Sequence, residues 1–284
     1  MRATSIVILV NSGKREHEKV VASLIAVAAR SHVKARICAL DIAHARKTPS
    51  AKGVSGAKLL ITVGGDGTLL AGIRMAAPYR VPVMPVYYGT LGFMAENTVD
   101  ESMEMLHDLL TGRKKNYIIE TRHMLDVSVR SKRHNRKMMA VNEAVVAKGH
   151  YPKLARFSVS IGGRGIAPIK ADGIIVASPT GSTAYALSAG GPIVNPRVDA
   201  LVLVPIAPHA LTFRPLVIAG DDTVSISLAS GAPDTVISVD GLPGEHFRTG
   251  DTVTISRSRT SFMLVKQKRL SFYQILTDKL NWGR

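Results

Sequence analysis

A single cysteine, Cys38, stands among 284 residues, so no intrachain disulfide can form and a reducing, intracellular setting is expected. It falls within residues 35–40, a strand-like run in which a buried, inert thiol is expected. Aromatic residues make up only 5% of the chain, which leaves Val, Ile, Leu and Ala to build the core from a hydrophobic content of 46%. No apolar run approaches the roughly 20 residues that span a bilayer. The apolar segment 5–10 is short, is followed by polar and charged residues, and lacks a cleavage pattern, so it reads as a first strand rather than a signal peptide. Acidic residues are also scarce, 21 against 37 Lys and Arg, and the formal charge of +16 suits polyanionic partners. The basic residues cluster at 113–115 and 130–137, which read as loop tips and not as a continuous stripe. There is no Gly-x-x-x-x-Gly-Lys-[Ser/Thr] loop, no protein-kinase signature and no His-Glu-x-x-His, paired-Cys or EF-hand spacing. A dedicated structural metal site and a Walker-type nucleotide site are therefore not expected.

What is present begins with Gly64-Gly65-Asp66-Gly67-Thr68, directly after the apolar run 59–63. Glycines at a strand end let backbone N–H groups approach phosphate oxygens, and a helix opening at 67–68 turns its positive end to the same place. Asp66 then offers a carboxylate beside bound phosphate. An ordinary tight turn would read the same way, so neighbouring motifs carry the decision.

The first hundred residues alternate strand and helix signals: strands at 5–10, 37–40, 59–63 and 83–86, helices around 20–28, 69–77 and 100–110. That alternation predicts a parallel sheet with covering helices, with ligands bound beyond the strand C-termini. From residue 117 the signal changes to short β runs, at 125–130, 138–141, 157–161, 174–177, 201–204, 223–228, 236–239 and 252–256. One helix-like interruption appears near 182–189. The expected architecture is an α/β N-terminal domain (1–98), a β-sandwich-like C-terminal domain (99–268) and a helix-compatible tail (269–284) that returns to the first domain.

Four further stretches stand out. Gly89-Thr90-Leu91-Gly92-Phe93-Met94 follows a strand end. Asn142-Glu143 sets an amide beside a carboxylate at the end of an apolar strand. Asp172-Gly173 precedes a strand leading to Ser178-Pro179-Thr180-Gly181-Ser182-Thr183-Ala184-Tyr185, then Ser188. Pro208-His209 leads to Arg214. Taken singly, each has a plain reading: a solvated carboxylate for Glu143, helix caps for Ser182 and Thr183, packing for Tyr185, a turn histidine for His209.

Together and in this order they resemble the NAD kinase (ATP-NAD kinase) family, from about residue 59 through 218. The Gly-Gly-Asp-Gly element is shared with diacylglycerol-type lipid kinases. The Thr-Gly-Ser-Thr-Ala-Tyr block with Asn-Glu upstream is much more particular. The resemblance implies that Asp66 accepts the proton of the 2′-hydroxyl of the adenosine ribose of NAD, and that Gly64, Gly65, Gly67 and Thr68 form the phosphate-binding turn. It further implies NAD contacts from Gly67, Phe93, Asn142, Glu143, Asp172, Thr183, Ala184, Tyr185 and Ser188, and more loosely from Arg156 and Lys170. ATP and NAD are the implied substrates, with Mg²⁺ arriving on the phosphoryl donor, and inorganic polyphosphate is a further donor that the basic surface permits. A cytoplasmic homodimer or homotetramer is implied. The family usually writes Gly-x-Asn where this chain has Pro85-Val86-Tyr87, and a Gln where Leu242 follows Asp240-Gly241. No ligand role passes to Leu242, and the amide contact at Tyr87 is lost. Two rival readings stand beside this one. A lipid kinase would need an apolar membrane-binding face, and no amphipathic basic helix provides it. A nucleic-acid-binding protein would need aromatics among its basic tips, and they lack them.

Overall fold

The computed structural model describes residues 5–11, 17–40, 53–87, 93–94, 97–132, 134–150, 154–230 and 234–282. Gly89-Thr90-Leu91-Gly92 and Arg133 lie outside the described residues. Two compact units make up the chain, Met1–Arg122 with Ser261–Arg284, and His123–Thr260.

The first unit runs through β1 (Ser5–Asn11), α1 (His17–Arg30), β2 (Lys34–Leu40), β3 (Leu59–Val63), α2 (Asp66–Ala76), β4 (Val83–Val86) and α3 (Val99–Thr111), and enters β5 (Tyr117–Arg130). Strands β4, β3, β1 and β2 lie side by side and parallel. Every residue of β3 is buried, as expected of a parallel strand covered on both faces. Alternation within the strands divides those faces. Ile6, Ile8, Leu59, Ile61 and Val63 share one core with Val20, Leu24 and Val27 of α1 and with Met105, Leu106 and Leu109 of α3. Leu9, Leu60 and Thr62 meet α2 instead, so closely that a Cβ at Gly72 would stand 2.4 Å from Thr62 Cγ2. The α1 residues recur at helical spacing, and each buried Leu or Val contributes about 1.5–3 kcal/mol. Helix α3 opens with a Thr98/Glu101 capping box and stops at Gly112, whose φ of 81° is left-handed.

The second unit holds β6 (Asn135–Ala140), β7 (Glu143–Ala147), β8 (Ala155–Ile161), β9 (Arg164–Gly165), β10 (Ile169–Ala171), β11 (Gly173–Ala177), the short α4 (Tyr185–Ser188), β12 (Ala200–Ile206), β13 (Leu216–Ala219), β14 (Thr223–Ser230), β15 (Val236–Val239) and β16 (Glu245–His246). Strand β17 (Thr252–Gln267) then leads back to the first unit and to α5 (Phe272–Leu280). One sheet has the order β13–β12–β11–β7–β15–β16 and is antiparallel throughout. Facing it are β10, β8 and β14, the latter paired with residues 252–256 of β17, and the β5–β6 hairpin. The two sheets close on a single apolar core that includes Val127, Val146, Phe157, Val176, Leu203, Ile226 and Val253. This is the expected sandwich-like packing. The outer face of the first of these sheets is covered by α4 and the chain that follows it, through Ala186 and Val194 against Ile175, Val202 and Val204.

Three local expectations change. Helix α2 begins at Asp66, one residue before the expected 67–68, because Gly65 takes the extended N-cap conformation. Glu143 opens β7 and does not end the strand before it; the chain turns at Val141 and Asn142. Cys38 is half-buried, since β2 is an edge strand on which Ile37 is 53% exposed.

Candidate functional site

In the first unit, the site grows from the end of β3. The Gly64 amide donates to the Val86 carbonyl at 3.2 Å, holding the ends of β3 and β4 together. Gly64 then takes φ +150°, and a Cβ there would stand 2.4 Å from Thr68 Oγ1, so only glycine fits. A Cβ on Gly65 would meet nothing within 4 Å, which leaves open space in front of the bend. The first amides of α2 have no intrahelical acceptor, and their aligned dipoles make this end positive. Thr68 lies beneath the bend, 1% exposed, and its amide donates to the Gly65 carbonyl.

Asp66 stands at the first position of this helix. Its Oδ2 accepts from the Phe93 amide at 3.1 Å, and its Oδ1 is buried with no hydrogen-bond partner among the described residues. A carboxylate oxygen has two lone pairs, and a buried one without a donor calls for a ligand. Phe93 is half-buried beside it. The structure thus brings Gly64, Gly65, Asp66, Gly67, Thr68 and Phe93 together, at the helix end that also binds anions best. A cavity of about 200 Å³, lined by Glu101, Glu104, Lys115, Asn116, Gln267 and Arg269, contains none of these residues.

In the second unit, the turn at Asn142 and Glu143 is held by a residue nearly a hundred positions away. The Asp240 carboxylate accepts from the amides of Val141, Asn142 and Glu143 at 2.9, 2.8 and 3.2 Å. Asp240 itself takes a left-handed φ of 47°. From the other side, the Ser178 amide donates to the Asn142 carbonyl at 2.8 Å and the Ser178 hydroxyl to the Val141 carbonyl at 2.6 Å. The same hydroxyl accepts from the Gly181 amide at 3.1 Å, starting the 3₁₀ turn Thr180–Thr183. Ser182 is fully buried; its hydroxyl accepts from the Val194 amide at 3.0 Å and binds the Pro179 carbonyl, so it ties two loops together and caps no α-helix. Thr183 bonds back to the Thr180 carbonyl. Tyr185 is 46% exposed, and Ser188 is exposed, so neither is a packing residue.

Two polar atoms of this turn, Asn142 Oδ1 and Glu143 Oε2, are buried and have no partner among the described residues. Burial, helped by the neighbouring Asp240 charge and opposed by a hydrogen bond from the Tyr185 amide, pushes the Glu143 carboxyl from 4.5 up to about 8. It is therefore protonated at neutral pH and can donate as well as accept. Between pH 4.5 and 8 the folded chain holds a proton that the unfolded chain has lost, so stability falls as pH rises through that window. Glu143→Gln removes this dependence. Its stability relative to the parent should rise by about 1.4 kcal/mol for each step of one in pH, measured by urea denaturation at roughly pH 5 and pH 8. A constant difference across that range would contradict the assignment.

The remaining expected residues form a separate group in the same unit. Arg156 and Lys170 face each other across β8 and β10, both exposed, and neither has an ion-pair partner among the described residues. Like charges directly opposite destabilise a ladder, so the pair leaves a local excess of positive charge there. Asp172 pairs with Lys148 at 2.7 Å. His209 is exposed, and its amide donates to the Lys170 carbonyl at 2.9 Å. Sequence reasoning missed Asp240 and Ser178 as supports. The Asp-Gly at 240–241 was the available signal for the first, and only the fold shows what it clamps.

Residues 43–114 match the ATP-NAD kinase N-terminal domain and residues 141–267 match the ATP-NAD kinase C-terminal domain. An NAD kinase of Heliobacterium modesticaldum is 41% identical over 80% of this chain and 79% of its own length. An NAD kinase of Aquifex aeolicus is 39% identical over 80% of this chain and 82% of its own. The crystal structure of a yeast NADH kinase complexed with NADH superimposes with a TM-score of 0.88 at 26% identity, covering 100% of this chain and 89% of that one. The structure of an NAD kinase from Archaeoglobus fulgidus in complex with ATP shares the fold, with a TM-score of 0.76 at 22% identity and 98% of each chain covered. With both family domains matched in order, and relatives of such identity over most of their length, the chain belongs to the NAD kinase family and is an enzyme of that kind.

Proposed function

We propose that the chain transfers the γ-phosphoryl group of ATP to the 2′-hydroxyl of the adenosine ribose of NAD, giving NADP. The observation that carries this reading is Asp66 at the positive end of α2, one carboxylate oxygen held by the Phe93 amide and the other buried without a partner. The amides of Gly65 and Gly67 cradle donor phosphates; the Gly64 amide is already engaged by the Val86 carbonyl, so Gly64 shapes the bend without contacting phosphate through its N–H, and Thr68 supports the bend from beneath. The 2′-oxygen attacks the γ-phosphorus as the bond to the β-bridging oxygen breaks; ADP leaves, and the hydroxyl proton passes to Asp66 Oδ1. A loose transition state needs this proton removed only late, so a weak base suffices.

Mg²⁺ enters on the donor. Among the described residues no three His, Cys, Asp or Glu side chains gather to hold an ion; the donor's phosphate oxygens would carry it into the site. When bound, it neutralises charge on the phosphate chain. In the second unit, Asn142 and the protonated Glu143 recognise the ribose and adenine end, and Thr183, Ala184, Tyr185 and Ser188 line the base pockets. Arg156, Lys170 and Asp172 are further NAD contacts, and the unneutralised Arg156–Lys170 pair fits a diphosphate. Assembly as a homodimer or homotetramer in the cytoplasm accompanies this reading. The apolar edge strand β13, where Leu216 is 43% and Val217 53% exposed, supports self-association, which sedimentation measures.

The test is a panel of donors (ATP, polyphosphate) and acceptors (NAD, NADH), with product read by an NADP-specific dehydrogenase. ATP with NAD should give dehydrogenase-competent product. No product from any pair would contradict the reading.

A further inference from the structure

Tyr87 breaks the family pattern noted at Pro85-Val86-Tyr87, and the structure sets it beside the proton acceptor. The Gly64 amide bonds to the Val86 carbonyl, so Tyr87 is the first residue past β4 next to the glycine bend. Its own amide donates to the Asn97 carbonyl at 3.3 Å, and Asn97, 1% exposed, donates its side-chain amide to the Pro85 carbonyl at 3.0 Å. The backbone is thus fixed on both sides. The side chain is 7% exposed. Burial first, and the Asp66 carboxylate second, push the Tyr87 phenol above its usual range, so at neutral pH it is a neutral donor. The Gly64–Val86 bond sets Tyr87 next to the bend that carries Asp66, yet no hydrogen bond joins the phenol hydroxyl to Asp66 or to any other described residue. A buried acceptor and a neighbouring free donor, close but unjoined, fit one group that both donates and accepts. An alcohol is such a group.

We propose that Tyr87 is a second substrate-contacting residue at the acceptor hydroxyl: the 2′-hydroxyl of NAD donates to Asp66 Oδ1 and accepts from the Tyr87 hydroxyl. An alcohol oxygen has one proton and two lone pairs. With the proton held by Asp66 and one lone pair by Tyr87, the remaining lone pair has a single direction, toward the phosphorus. Tyr87 transfers no proton; it removes the rotational freedom of the nucleophile, a form of orientation that lowers the barrier. The inference rests on the ribose 2′-hydroxyl being the acceptor.

Tyr87→Phe tests it, because the ring stays and one oxygen leaves. The melting temperature should remain within about 2 °C, as expected where no intramolecular bond is lost. kcat/KM for NAD should fall about tenfold, the worth of one hydrogen bond in a transition state. The decisive comparison is the 2′-deoxy analogue of NAD, which lacks the acceptor oxygen: its dissociation constant should stay within about twofold between the two proteins. If the analogue weakens as much as NAD turnover falls, Tyr87 shapes the site without touching that oxygen, and the inference is overturned. Unchanged NAD turnover in Tyr87→Phe overturns it as well. A parent protein that does not phosphorylate NAD would instead sink the reading of the acceptor itself.

Discussion

Asp66→Asn is expected to lower kcat by roughly 10²–10⁴, the usual worth of a positioned general base. The asparagine keeps an oxygen to accept from the Phe93 amide, so the bend is retained and the melting temperature should change little. Its other side-chain atom becomes an NH₂ donor facing the substrate hydroxyl, which can then neither lose its proton nor find an acceptor. The loss should appear in kcat and kcat/KM alike, because the interaction matters as the proton leaves. Steady-state kinetics with NAD and ATP, read through NADP formation, measures it. Turnover near that of the parent would remove Asp66 from the mechanism.

The second large effect is expected at a residue that touches no substrate. A Cβ on Gly181 would lie 2.2 Å from the Asn142 carbonyl oxygen and 2.5 and 2.6 Å from its carbonyl carbon and Cα. These are backbone atoms, clamped on the far side by Asp240, so neither partner can swing away. Gly181→Ala must therefore displace the turn that presents Asn142 and Glu143. A cost of about 1–3 kcal/mol, typical of overpacking, is expected in urea denaturation, with KM for NAD raised at least about tenfold. Gly165→Ala is the control, since a Cβ there meets nothing within 4 Å. If both variants behave alike, the close approach at Gly181 does not shape the site.

Features set by neighbours in sequence could be read before any coordinates. The strand 59–63 running into Gly64-Gly65-Asp66 is one, because glycine's freedom and the helix end act within five residues. Most of the expected strands of the sandwich are another, since alternation and glycine punctuation are local. The family resemblance also drew on contiguous motifs, and the two matched domains agree with it. Features set across the chain could not be read. Asn142 and Glu143 looked like the end of one strand because the clamp that bends the chain there comes from Asp240, and the turn makes Glu143 begin the next. Glu143 looked like a solvated carboxylate for the same reason: its burial depends on β11 and β15 lying on either side of β7. Cys38 failed in the opposite sense, because an apolar strand at the edge of a sheet is less covered than one within it. The pairing of Tyr87 with Asp66 needed two strand ends brought side by side.

The most direct test of the whole account is a crystal structure of the enzyme with NAD bound. It should place the 2′-oxygen of the adenosine ribose about 3 Å from Asp66 Oδ1, the separation a proton transfer requires. A ribose bound elsewhere, with that oxygen still unpartnered in the protein interior, would contradict it.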